Sequence, residues 1–177
     1  ANALTDAVCQ TELGLAYDKD GIIAAKGHIS ASFLKAALQD SYFQRSGPRS
    51  LDWNHFSDYL QHPDFRALSV EDKLASLTAL SAQSIAKSIS DLPFALKTLV
   101  VAGGGVQNKT MMKMISDAMP DGITLTTAEN IGARSDMIEA ELIAVLAARY
   151  LVQLPSTWPE TTGTSAAQIA GIRADPL

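Results

Sequence analysis

The chain has 177 residues, 47% of them apolar, enough to bury a real core and to exclude a disordered tail or linker. Its 14 Lys and Arg against 19 Asp and Glu give a net charge of −5, and no basic run forms a phosphate-binding stripe, which argues against nucleic acid as the main partner. The longest apolar runs, 142–148 and 99–102, fall far short of the ~20 residues that span a bilayer, so no membrane segment is expected.

Residues 3–15 place Leu4, Val8 and Leu15 at roughly helical spacing, and the pattern stops at 14–17. The single cysteine, Cys9, makes neither an internal disulfide nor a CxxC metal knuckle, and a reducing cytoplasm is its simplest home. Tyr17-Asp18-Lys19-Asp20-Gly21 reads as a turn, because Asp and Gly tolerate the tight dihedrals required. It carries two acidic positions of a calcium loop and lacks the rest, so no metal is assigned there. Ser30 opens a short helix with Phe33, Leu34, Ala37 and Leu38. Ser46-Gly47-Pro48 punctuates the chain, and a further amphipathic piece carries Trp53, Phe56, Tyr59 and Leu60.

Residues 69–92 form the clearest helix. Ser69 with Asp72 three later predicts a capping box. Val70, Leu74, Leu77, Ser81, Ile85, Ile89 and Leu92 make a stripe at three- and four-residue steps. Ala75, Ala79, Ala82 and Ala86 let another element approach closely, and Pro93 ends the helix.

Beyond this helical portion, 1–92, the pattern changes. In 93–177 a short apolar strand, 98–102, runs into Gly103-Gly104-Gly105, followed by a helix over 108–119. A second strand over 122–127 and a second buried helix over 135–151 complete a strand–helix–strand–helix series, the grammar of a helix-rich α/β fold with parallel strands. Two strands make a poor sheet for so many helices. The remaining strands are expected upstream of Ala1, and the start Ala1-Asn2-Ala3-Leu4, without methionine, reads as a processed or cut piece.

The glycine turn is the most informative stretch. As a Walker A loop, or as a G-x-G-x-x-G dinucleotide fingerprint, it needs a further Gly where Asn108 stands, so both readings fail at one position. Two readings remain. Glycines at the carboxyl end of a buried strand let a planar ligand or phosphate lie against bare backbone, with Asn108 capping the next helix. Alternatively they make a tight strand–helix turn with no ligand, a job for which three consecutive glycines are costly.

Glu139 lies in a helix apolar nearly all round, where a buried carboxylate is costly unless something pairs with it. It is either a site residue or a first-turn carboxylate favoured by the helix dipole, the role that Asp136 fits. His28, His55 and His62 have no metal-ligand spacing and suit exposed or capping roles. No nucleophile elbow supports Ser-His-Asp chemistry. Met111, Met112, Met114 and Met119 suit helix packing rather than cofactor binding.

Several segments, in order from Asn2 to Gly171, together resemble the C-terminal half of the anhydro-N-acetylmuramic acid kinase family. They are Asn2-Ala3-Leu4-Thr5-Asp6, Tyr17-Asp18-Lys19-Asp20-Gly21 with Ala24-Ala25-Lys26-Gly27, and Gly47-Pro48-Arg49-Ser50-Leu51-Asp52. Then come Gly103-Gly104-Gly105 with Asn108 and Met112, Glu139-Ala140 with Leu146-Ala147, and Leu154-Pro155 with Pro159 and Thr161-Thr162-Gly163.

The resemblance implies a two-lobed, ribonuclease-H-like (actin-like ATPase) sugar-kinase fold that binds ATP between the lobes. It implies a reaction that uses magnesium, opens the 1,6-anhydro ring of a muramyl sugar with water and phosphorylates the 6-oxygen in peptidoglycan recycling. On that reading Gly103, Gly104 and Gly105 lie against the adenosine side of the nucleotide, Asn108 helps set the turn, and Glu139 faces the cleft as a sugar-side, catalytic carboxylate. The general-base Asp, the metal ligands and the missing N-terminal lobe are expected outside this chain, and a homodimer is compatible with it. Arg49 stands where the family has lysine, and Trp53 replaces a following arginine. Glu141, Leu142 and Ile143 stand where small and aromatic residues are preferred. The alternative is a non-catalytic nucleotide-binding or regulatory module of the actin-like group.

Overall fold

The computed structural model describes residues 2–45, 49, 54–135, 137–172 and 174. The readings placed on 46–48, Trp53 and Asp136 lie outside these residues. The order of helices is α1 (Ala3–Val8), α2 (Ala31–Leu38), α3 (Ser41–Gln44), α4 (Asn54–Ser57), α5 (Pro63–Arg66), α6 (Val70–Ser90), α7 (Lys109–Ala118), α8 (Ile138–Leu151) and α9 (Pro159–Thr162). Strands β1 (Thr98–Val101) and β2 (Thr124–Thr127) flank α7 and pair in parallel, Thr98 opposite Thr124 and Val101 opposite Thr127. The chain is thus helix-rich α/β with a small parallel sheet, as its pattern predicts.

Helix α6 organises the first ninety residues. Ser69 caps it, its hydroxyl accepting from the Asp72 amide at 3.1 Å. The Asp72 carboxylate accepts from the His28 amide at 2.6 Å, so the second arm of the expected capping box ties in the chain before α2 instead. Leu74 and Ala75 are fully buried, and Leu77, Ala79 and Ala82 nearly so. The small residues do what their spacing predicts: Ala82 packs with Met111 and Ile115 of α7. On the other side Phe33 and Phe65 stack with ring centroids 4.8 Å apart, joined by Val8, Cys9 and Phe43 in one core. Lys73, largely buried beside this core, donates to Glu12 at 2.9 Å and lies 5.9 Å from the Phe65 ring centre.

The expected first helix holds to its stop but changes pitch. Beyond α1 the backbone widens into a π-helical turn, Cys9–Leu13, and ends at Gly14 with φ +67°. Arg49 forks between the Tyr42 carbonyl (3.2 Å) and the Ser88 hydroxyl (2.9 Å), tying the α3 region to α6.

One expectation is overturned. The pattern predicts a buried helix over 135–151, yet α8 buries none of its residues. Leu142, Ile143 and Val145 are each more than half exposed, because the sheet carries only β1 and β2 among the described residues and gives α8 little to cover.

Candidate functional site

The β1 run Thr98-Leu99-Val100-Val101 delivers the chain to three glycines that play different parts. Gly103 turns the chain with φ +81°, where a side chain is strained. Gly104 faces open space: an added Cβ would meet none of the described residues within 4 Å. Gly105 faces inward, where a Cβ would lie 3.7 Å from the Met111 sulfur and 3.8 Å from Asn2 Nδ2. A turn of 3-10 helix, Gly104–Gln107, leads to Asn108, whose Oδ1 accepts from the Met111 amide at 2.8 Å and caps α7 as expected.

Gly104, Gln107 and Asn108 form one wall of a cavity of about 300 Å³. Asn2, Thr5 and Asp6 of the α1 end form a second wall, and the 17–20 loop forms a third. Asn2 brings a buried acceptor: its Oδ1 has no partner among the described residues, while its backbone carbonyl accepts from Thr5 Oγ1 at 2.7 Å and the Asp6 amide at 2.8 Å. An unsatisfied acceptor of this kind costs roughly 1–3 kcal/mol. Burial pushes the Asp6 carboxyl above its ordinary pKa. Asp18 is buried and committed to its own loop, its two oxygens accepting from the Ile23 amide at 3.0 Å and the Ala24 amide at 2.9 Å. Tyr17, 57% exposed, stands at the rim. Bare backbone, an orphan amide oxygen, a poised carboxyl and an exposed ring suit a polar ligand with a flat part.

Of the residues singled out in the sequence, Gly104 and Asn108 line this cavity, and Gly103 and Gly105 frame the turn. Glu139 lies apart from the cavity wall, exposed in the first turn of α8 beside Glu141. The burial cost argued for it does not arise here, and the positive end of the helix dipole favours both carboxylates. His28 and His62 are exposed, and His55 bonds Asp40 at 3.0 Å. Met111 is buried in the α6–α7 contact, with Met114 and Met119 packed beside it. Asn2, Asp6, Tyr17, Asp20 and Gln107 also line the cavity, and no motif in the sequence marks them as site residues. The residues of 17–21 read as a turn that also carries the family resemblance, but Asp and Gly mark its shape and not the segment 89 positions onward that it meets.

Residues 1–174 match the family model of anhydro-N-acetylmuramic acid kinase. The chain belongs to this family. The anhydro-N-acetylmuramic acid kinase of Roseobacter denitrificans is 37% identical over 166 residues, covering 94% of this chain and 43% of the relative. Anhydro-N-acetylmuramic acid kinase 1 of a Jannaschia species is 37% identical over 177 residues, covering 99% and 46%. The Pseudomonas syringae pv. tomato kinase is 34% identical over 173 residues, covering 96% and 47%. The chain spans about half the length of the curated kinases it matches. Three stretches that carry the resemblance, 2–6, 17–21 and 103–108, meet at the one cavity described above.

Proposed function

We propose that this chain is the C-terminal part of an ATP-dependent kinase that opens 1,6-anhydro-N-acetylmuramic acid with water and phosphorylates it to N-acetylmuramic acid 6-phosphate. The observation that carries this reading is the convergence of 2–6, 17–21 and 103–108 on one polar cavity with an orphan acceptor and open backbone at Gly104. In the reaction a water oxygen bonds to C1, the bond from C1 to the bridging oxygen breaks, and the freed 6-oxygen takes the phosphoryl group. ATP supplies that group when bound. Gly104 and Gln107 would lie against the nucleotide, Asn108 fixes the turn that presents them, and Asn2 stands in the second wall. Chemistry of this kind depends mainly on positioning and charge stabilisation, which a cleft between two lobes serves.

The proposal includes an actin-like, two-lobed whole protein that works in peptidoglycan recycling in the cytoplasm. The general-base Asp belongs to a partner lobe, and Glu139 meets the sugar from α8. The apolar residues left exposed on α8 support a covering lobe, and family membership speaks for a kinase over a regulatory module. Among the described residues no His, Cys, Asp or Glu side chains cluster in threes as metal ligands, so no step is assigned to magnesium here. Among them, too, no helix is long and apolar enough to cross a membrane.

The deciding experiment is ATP-dependent phosphorylation of the anhydro sugar by the full-length protein, followed by mass spectrometry of the product. Gly104→Val is the sharpest variant: the added side chain enters open space, so the melting temperature holds while ATP binding is lost. Unchanged ATP affinity in that variant rejects the assigned wall. A Glu139→Gln enzyme is expected to lose turnover and keep its fold, and a wild-type rate would assign Glu139 to the helix dipole alone.

A further inference from the structure

The 17–20 loop and the glycine turn face each other across the cavity, yet their sequences lie far apart, so some contact must fix the gap between them. The loop is braced from within. Asp18 accepts from Ile23 and Ala24 through its carboxylate and from the Gly21 amide through its carbonyl at 3.1 Å. Asp20 and Gly21 both take left-handed backbone, φ +58° and +72°, and the Gly21 carbonyl is left for a partner outside the loop. That carbonyl accepts from Thr110 Oγ1 at 2.7 Å. Gly21 also presses against the far wall: a Cβ there would run into the Asn108 side chain and come within 2.8 Å of Thr110 Cβ. Thr110 stands in the first turn of α7, two residues past the cap that Asn108 supplies, and takes no part in the cavity wall.

We infer that Thr110 is a positioning residue, whose hydroxyl latches the 17–20 loop to the capped end of α7 and so sets the width of the cavity. The inference rests on the reading of that cavity as the nucleotide site. A hydroxyl outside the wall acts on a ligand only through the distance between the walls. Removing it frees the loop, and a looser cleft binds nucleotide less tightly without altering the reacting groups.

The test uses the full-length kinase with Thr110→Val, Thr110→Ala and Thr110→Ser. Losing one hydrogen bond of ordinary net strength corresponds to roughly a two- to tenfold change in an equilibrium constant. Val and Ala are therefore expected to raise the KM for ATP by that factor with kcat within about twofold, and Ser to restore the wild-type KM. Ala loses the hydroxyl without adding a methyl group, so it reports if Val disturbs the helix end. A purely structural threonine would lower the melting temperature and leave KM unmoved, and that result overturns the latch. Ser behaving like Val overturns it as well. A wild-type enzyme that binds no ATP overturns both the latch and the nucleotide reading, whereas normal wild-type binding with unmoved Val and Ala variants overturns the latch alone.

Discussion

Helices α6 and α8 are both rich in apolar residues, and they meet opposite fates. The middle of α6 is buried on nearly every side, from Lys73 through Leu80, because α1, α2, the 24–26 turn and α7 all pack on it. In α8, Ile143 is 65% exposed and Val145 55%. Apolar periodicity states which face a helix would hide, and only the neighbours decide whether it is hidden. The elements that cover α6 all lie within this chain. The curated kinases that the chain matches are about twice its length, and the exposed face of α8 is where the covering lobe proposed above would lie.

The largest expected effect lies on the α6 side. Phe65→Ala removes a fully buried ring from its stack on Phe33 and takes away the surface under Lys73, at a cost of about 3–5 kcal/mol. Urea denaturation measures this directly, and a loss below about 1 kcal/mol would mean that this core is no better packed than α8. Gly27→Ala comes next. Its Cβ would collide with backbone atoms of Glu71 and Asp72 at the start of α6, which have little freedom to move aside. A loss of roughly 1–3 kcal/mol is expected, with the His28–Asp72 contact broken as well.

A smaller effect is tied to pH. Asp40 caps α3 by accepting from the Tyr42 amide at 2.7 Å and meets His55 at 3.0 Å. Burial opposes its ionisation, but the Tyr42 amide, Tyr59 and His55 outweigh it and hold the carboxyl below its ordinary 3.8. Tyr59 is pushed up in turn, by burial first and then by Asp40. With a depressed folded pKa, the stabilisation from Asp40 is complete above 3.8 and is lost as pH falls through the lower folded value. Asp40→Ala is expected to cost about 1 kcal/mol near neutrality, and the gap from wild type should close in melts taken below that pH. A gap that persists in acid would assign the loss to packing around Phe43 and Phe56 instead.

The contrast between the helices also separates what the sequence made legible from what it did not. The bounds of α6 differ by a residue or two from the 69–92 expected, and the Asn108 cap and both strands stand where short-range rules put them. Local rules suffice there because a cap, a turn or a stripe is decided within a few residues. The cavity is different. Gly104 was legible as open backbone after a strand, but Asn2, Asp6 and Tyr17 become site residues only because α1 and the 17–20 loop fold back on that turn. The Asn2 amide carries no local signal of an unsatisfied oxygen, and Glu139 looked buried because its neighbours are apolar.

The smallest expected effect is the one that tests the comparison most closely. Ile143→Ser on α8 changes a side chain that is already 65% in water. For this chain by itself the stability change should stay within about 0.5 kcal/mol, as for an ordinary surface position. In the full-length kinase the same substitution should cost several times more, because there the face would be covered by the other lobe and its burial would contribute about 25 cal/mol per Å². Paired denaturation curves of the two lengths, each with and without Ile143→Ser, isolate that difference. Equal small losses in both would mean that α8 remains a solvent-facing apolar helix even in the whole enzyme, and the lobe would have to dock elsewhere. A large loss in the short chain would mean that α8 already packs in solution, against a second copy of itself, and sedimentation of the wild-type chain would then show a dimer that Ile143→Ser dissolves.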